Sequence, residues 1–213
     1  VGCIVPTSYH SKLVVSTIFP LVATVCIFTF MYLARMCASD KLMKKAIRNN
    51  CVEVFLAMTF LVFASVSKTI FDAFNCSSYG DDPIEYLLAD MSIDCSDMNH
   101  KIAQKYAYVM MLVYPLGIPL LYAVLLFQRR KEIKAEDRAT NASLIKTGFL
   151  WEMYEPGTWW FEIFECLRRL ALSGLLVFVR PGSTSQIVLA LILAMASVVL
   201  YTHLLVCYRP CGY

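Results

Sequence analysis

Residues 158–178 read TWWFEIFECLRRLALSGLLVF, a run long and aromatic enough to cross a bilayer, yet with two glutamates and two arginines in its first half. Whether it is a membrane helix, and why such a helix would hold four ionisable groups, depends on the chain around it. The 213 residues are 59% hydrophobic and 16% charged, with a mean hydropathy of +0.60. Those values lie outside what a soluble domain of this length keeps in water, so the chain reads as a membrane protein. It lacks an initiator Met and stops at CGY, and residues 1–213 are expected to be a single membrane domain cut from a longer protein.

Hydrocarbon about 30 Å thick takes roughly 20 helical residues, because each residue rises about 1.5 Å and lipid leaves no backbone group unpaired. Five segments reach that length: residues 13–36, 51–74, 103–128, 159–179 and 186–208. None alternates polar and apolar residues as a barrel strand does. The expected fold class is therefore all-α, a polytopic transmembrane helix bundle of five spans.

Lysine and arginine placement orients it. Arg35, Lys41, Lys44, Lys45 and Arg48 cluster around the loop at 37–50, and Arg129, Arg130, Lys131, Lys134, Arg138 and Lys146 in the loop at 129–158. Both loops are expected in the cytoplasm. The loop at 75–102 carries six acids, Asp81, Asp82, Glu85, Asp90, Asp94 and Asp97, and is expected outside, with the C-terminus inside. That acidic loop holds two cysteines, Cys76 and Cys95, expected to form a disulfide in an oxidising compartment, the alternative being two free thiols. Of two glycosylation sequons, Asn75-Cys76-Ser77 and Asn141-Ala142-Ser143, this orientation exposes only the first, making Asn75 the candidate acceptor.

The successive blocks YLLADMSIDC (86–95), YVMMLVYPLGIPLLYAVLL (108–126), WEMYEPGTWWFEIFECLRRLALSGLLVFVRPGSTSQIVLAL (151–191) and CYRP (207–210) carry a family resemblance. Together they resemble the transient-receptor-potential-like C-terminal membrane domain of large surface proteins of oomycetes, algae and related protists. The resemblance covers residues 51–210. It implies cysteine-rich ephrin-receptor-like or epidermal-growth-factor-like repeats upstream on the same chain, a plasma-membrane or other surface-derived location, and a channel-like role.

On a helical wheel of about 100° per residue, Glu162, Glu165 and Arg169 fall in one sector, continued by Leu172, Ser173 and Leu176. Phe164, Leu167, Ala171, Leu175 and Phe178 lie opposite. Glu165 and Arg169 stand one turn apart in the favourable acid-first order, and Arg168 sits beside the stripe, free to snorkel or to reach another helix. A charge facing lipid costs several kcal/mol, so the stripe is expected to face protein or water. It serves either as an ion-pair clamp between helices or as part of an ion pathway or gate, with Glu53 of the second span an expected partner of Arg168 or Arg169.

Two further features are local. FLWEMYEPGTWW (149–160) reads as an interfacial elbow, with Trp151, Trp159 and Trp160 among its anchors and Pro156 and Gly157 interrupting helix. In VYPLGIPLLY (113–122), Pro115 and Pro119 each remove a backbone donor and Gly117 removes side-chain support, making these three the hinge candidates.

His10, His100 and His203 are scattered along the chain, without metal-ligand spacing, a nucleophile elbow, a phosphate-cradling loop or a calcium-loop pattern. No enzyme, cofactor, metal or nucleic-acid partner is expected. The expected partners are membrane lipids, further copies in a homo-oligomer and the upstream repeats. Two functions stay open: a cation-conducting or stimulus-sensing surface receptor or channel, and a non-conducting polytopic anchor for a large adhesive or structural ectodomain.

Overall fold

The computed structural model describes residues 8–78, 84–135, 147–151, 156–174 and 183–206. It opens with two long helices, α1 (Tyr9–Cys37) and α2 (Lys41–Asp72). At about 1.5 Å per residue, their 29 and 32 residues reach about 44 and 48 Å, more than the hydrocarbon requires. Asp40 starts α2 by accepting a hydrogen bond from the Leu42 N–H at 3.2 Å. The helix therefore winds through the basic residues Lys41, Lys44, Lys45 and Arg48, ahead of the apolar run that opens at Cys51.

Between α2 and the next long helix lies a three-stranded antiparallel sheet in the order β1 (Cys76–Ser78), β2 (Glu85–Leu87), β3 (Asp90–Asp94). Cys76 pairs across the ladder with Leu87, and Tyr86 with Asp94, with an irregularity between Tyr86 and Leu87. A disulfide joins Cys76 to Cys95, Cα atoms 6.4 Å apart, and the Cys95 N–H donates to the Glu85 carbonyl at 2.9 Å. The bridge was expected; the sheet corrects the all-α expectation. Strands of three to five residues are too short to show a period-two pattern; the disulfide and fully buried Leu87 hold them to the core.

Asp90 ties the sheet to α1. The Ser92 hydroxyl donates to its Oδ1 at 2.6 Å and the Tyr9 N–H, an otherwise unpartnered donor at the helix start, donates to its Oδ2 at 3.2 Å. The hydrogen bond from Ser92, with the weaker help of Tyr9 and against some desolvation, holds the Asp90 carboxyl below its ordinary value. A lowered folded-state value means stability that is present above the unfolded pKa and lost as pH falls through the folded one. The protection of the Tyr9 amide, its slowing relative to the intrinsic exchange rate at the same pH, is accordingly expected to fall on acidification through that range in the wild type. In Asp90→Asn the protection should be lower at neutral pH and flat across the same range, and an unchanged acid response in the variant would rule out this carboxylate as its source.

The chain re-enters the bundle as α3 (Met98–Met111), passes through a π-helical turn (Leu112–Leu116) and continues as α4 (Gly117–Ile133). Pro115 lies inside the π turn, where the wider i→i+5 pattern absorbs the donor that proline lacks. Of the three hinge candidates, Pro115 lies in this local widening and Gly117 and Pro119 in the first turn of α4, in a helix that runs on without a break. A Cβ on Gly117 would stand 3.0 Å from the Leu112 carbonyl oxygen, which is why the turn is followed by glycine.

A single turn, α5 (Gly148–Trp151), and a 3₁₀ turn (Pro156–Thr158) lead into α6 (Phe161–Ser173), and α7 (Thr184–Val206) closes the described chain. Trp151 is buried at 5% exposure beside fully buried Leu150, so it belongs to the core and is not an interfacial anchor as the elbow reading held, whereas Trp160 stays exposed. Trp159 packs edge-on against Phe127, and the guanidinium of Arg130 lies 3.9 Å over the same ring.

Among the described residues four helices are long and apolar enough to cross a membrane: Tyr9–Cys37, Lys41–Asp72, Met98–Ile133 and Thr184–His203. The expected fourth span, 159–179, is described only as α6, whose 13 residues reach about 20 Å; residues 175–182 lie outside the description. α2 is central, with α1, α3, α5 and α6 against it, and its buried positions Leu56, Phe63 and Ile70 recur every seven residues along one face. α6 meets α2 closely enough that a Cβ on Gly174 would fall 2.0 Å from the Phe71 ring. α1 and α7 leave large apolar side chains exposed, Phe19, Phe30, Ile187 and Met195 among them. In water such surfaces would drive aggregation; in a bilayer they face the solvent they suit.

Candidate functional site

α6 is amphipathic in an unusual sense, because its buried face carries acids. Phe161, Glu162, Glu165, Cys166 and Leu170 are buried at i, i+3 and i+4 spacing while Leu167 is exposed, so the helix presents its carboxylates to the bundle and an aliphatic side chain outward. Glu162 and Glu165 are each 4% exposed. The wheel correctly turns the acidic stripe inward; Phe164 and Ala171 on the opposite side are half-buried, and Leu175 and Phe178 lie outside the described residues.

Glu165 is the centre of the site. Its Oε2 accepts from the Arg168 Nε at 3.0 Å, and its Oε1 accepts from the Arg169 Nε at 3.2 Å and from the Arg168 Nη2. The fourth donor comes from another helix: the Tyr201 hydroxyl of α7 reaches Oε2 at 2.5 Å. Four donors on two oxygens are what a carboxylate needs to be held charged away from water. Arg168 folds back one turn onto Glu165, at three residues' spacing, and its guanidinium also lies 5.9 Å over the Tyr201 ring of α7, so it does reach another helix.

The remaining contacts pin this cluster to its neighbours. The Arg169 guanidinium lies 3.9 Å over the Phe60 ring, midway along the apolar part of α2. Phe161 meets the Tyr201 ring edge-on with centroids 5.0 Å apart. On α4, the Tyr122 hydroxyl lies 2.8 Å from the Thr59 Oγ1 of α2, behind the charged turns and fully buried. Two acids, Glu162 and Glu165, and two bases, Arg168 and Arg169, make the group formally neutral, the condition under which charges persist in a low-dielectric interior.

Glu53 does not join. It is exposed and forms no ion pair with Arg168 or Arg169 among the described residues. The reason is distance along α2: Arg169 sits level with Phe60, and the seven residues back to Glu53 are about two helical turns, or roughly 10 Å.

A second cluster escaped the sequence. The histidines that look scattered are brought together: His10 Nε2 lies 3.4 Å from His100 Nδ1, with ring centroids 5.6 Å apart. His100 is wholly buried and its Nε2 is 4.0 Å from the Cys76 sulfur. The ligand-type atoms of Cys76, Cys95 and His100 lie within 4.8 Å of one another, but the two sulfurs are bonded to each other, which leaves the imidazole as the only unconsumed donor of the three. A signal for this proximity existed, since alternating spans put the starts of the first and third helices at the same membrane face as the cysteine loop. Asn75, the candidate glycan acceptor, is 9% exposed, and its carbonyl accepts from the Leu88 N–H at 2.8 Å.

Comparisons with family models, with curated proteins and with solved structures find no match to this chain.

Proposed function

We propose that this multi-pass membrane protein is the membrane domain of a channel-like or stimulus-sensing surface protein, and that the Glu165 cluster is the latch holding its α6 to α7 and α2. The observation that carries the reading is the Glu165 carboxylate, 4% exposed and held by Arg168, Arg169 and Tyr201 beside the apolar middle of α2. Replacing a buried ionic group by apolar side chains of similar volume is often neutral or stabilising, which supports reading this one as kept for function. The resemblance to transient-receptor-potential-like membrane domains of protist surface proteins supports the same reading. The role we propose is non-enzymatic.

Whole-cell currents from cells expressing the full-length protein test it. Glu165→Gln, which keeps the shape and loses the charge, is expected to change current amplitude or its stimulus dependence at unchanged surface expression. If neither the wild type nor the variant carries current under any stimulus that engages the ectodomain, the protein is the alternative, a non-conducting anchor. One observation favours that alternative: both arginines that satisfy Glu165 lie on the same helix, so α6 arrives at the bundle already neutralised and serves well as a static clamp.

The orientation we propose places the sheet outside and the basic residues of α2 and α4 in the cytoplasm, in the plasma membrane or a surface-derived one. The two sequons test it. Asn141 lies outside the described residues, and any glycan there in the cell-expressed protein would invert the arrangement. A glycan on Asn75 requires modification before the loop folds, because the folded side chain is buried and the neighbouring Cys76 is bridged. Cys76→Ser, with the bridge gone, is therefore expected to raise glycan occupancy at Asn75, read as a mass shift removed by an endoglycosidase.

A further inference from the structure

The middles of three candidate spans do not close on one another. α1 around Pro20 and Thr24, α2 from Phe55 to Val62, and the helix around the π turn from Val113 to Leu121 leave a cavity of about 250 Å³ between them. Each lining segment lies near the midpoint of its helix, Tyr9–Cys37, Lys41–Asp72 or Met98–Ile133, so the cavity sits deep in the hydrocarbon layer. Leu21 and Val113 on its wall remain 37% and 40% exposed, which makes the opening lateral, toward lipid.

The wall's chemistry selects the occupant. Its polar atoms are already engaged within the protein: the Thr24 hydroxyl donates to the Pro20 carbonyl at 2.8 Å, the Thr59 hydroxyl bonds the Leu56 carbonyl and Tyr122, and the Tyr114 hydroxyl donates to the Thr17 carbonyl at 2.5 Å. What remains is aliphatic and aromatic surface with no polar group to orient a headgroup or hold a water. An apolar cavity of roughly 150 Å³ stays dry and takes up a benzene-sized guest, and this one is larger. Left empty, its lining atoms lack contact partners on one side.

We propose that this cavity is a binding site for one acyl chain of a membrane lipid, entering between α1 and the π turn. The position gives the site a consequence. Tyr114 on the π turn bonds the carbonyl one turn before Pro20, so the chain touches both helices where each is interrupted, and its presence favours the widened turn over a regular helix. The proposal rests on the multi-pass reading alone and is independent of whether the protein conducts.

Photolabelling tests it. The full chain is reconstituted in phosphatidylcholine vesicles containing a lipid with a diazirine at mid-chain, irradiated, and the adducts are mapped by mass spectrometry. Adducts are expected on the inner wall at Phe55, Met58 and Val62, and to fall several-fold when the diazirine is moved next to the ester, because the cavity lies at mid-depth. Val62→Trp, which fills the space, is expected to remove wall adducts several-fold while leaving those on lipid-facing Val15 and Phe19 unchanged. The label-position arm needs no variant and so survives a folding failure of Val62→Trp. Wall adducts no denser than those on Val15 and Phe19, equal labelling from both diazirine positions, or a protein–protein crosslink showing a second copy's side chain in the space would each overturn the proposal.

Discussion

Replacing Glu165 by Ala is expected to destabilise the protein by about 3–5 kcal/mol, the usual cost of removing one partner from a buried ion pair. The change leaves two guanidinium groups, on side chains that are 27% and 30% exposed, with Glu162 as the remaining acid of the cluster. The Tyr201 hydroxyl and the donors of Arg168 and Arg169 lose their shared acceptor at the same moment. Thermal or denaturant unfolding in detergent micelles measures the loss. Tyr201→Phe separates the cross-helix part, since it deletes one hydrogen bond to a charged group and keeps the ring that Phe161 packs on, for a loss of about 1.5–3 kcal/mol. The informative companion replaces the whole set, Glu162→Gln, Glu165→Leu, Arg168→Leu and Arg169→Met, and is expected to be about as stable as the wild type or more so. If that variant instead unfolds as readily as Glu165→Ala, the cluster is a structural clamp and the latch reading fails. If it is stable and differs from the wild type in the whole-cell currents that test the proposed function, the charges are there for function.

How far the sequence led to this site can be followed residue by residue. The acid-first spacing of Glu165 and Arg169 and the single charged sector of α6 turned the stripe inward on paper, because hydrocarbon offers no alternative partner. Tyr201 was beyond reach, since which tyrosine of a uniformly apolar helix meets Glu165 depends on how α7 lies against α6, and periodicity is silent on that. Glu53 was a plausible partner by sign and by membrane face, and failed on a difference of two helical turns that only the packing of Arg169 against Phe60 fixes. Pro115 and Gly117 announced an irregularity but not its kind: a kink and a π turn both accommodate a missing donor, and it is a π turn that forms, with the Tyr114 hydroxyl bonded to α1. The sheet was hidden by brevity and His100 by its distance in sequence from His10, although the disulfide that organises both could be expected from two cysteines in one acidic loop.

That disulfide carries the other large effect. Cys76→Ser with Cys95→Ser is expected to remove about 3 kcal/mol of order from the loop it closes, a separation of 19 residues, by restoring chain entropy to the opened state. The loss should be local at first, because the bridged loop holds the ends of helices and not their middles: Asp90 meets the start of α1 at Tyr9, and His100 at the start of α3 faces His10. Hydrogen exchange then distinguishes two behaviours. Strand amides of β1 to β3 and the first turns of α1 and α3 lose protection, while α2 around Leu56 and Phe63 and α4 around Tyr122 and Leu126, all fully or nearly fully buried, keep it. Full protection of the strands in the double variant would mean that Leu87, buried at 0% exposure, and the ladder bonds are sufficient alone. Loss of protection throughout, down to the helix middles, would mean that the cap is part of the bundle's cooperative unit. The coupling element would then be α2, which ends at Asp72, four residues before Cys76, and meets Arg169 through Phe60 near its midpoint.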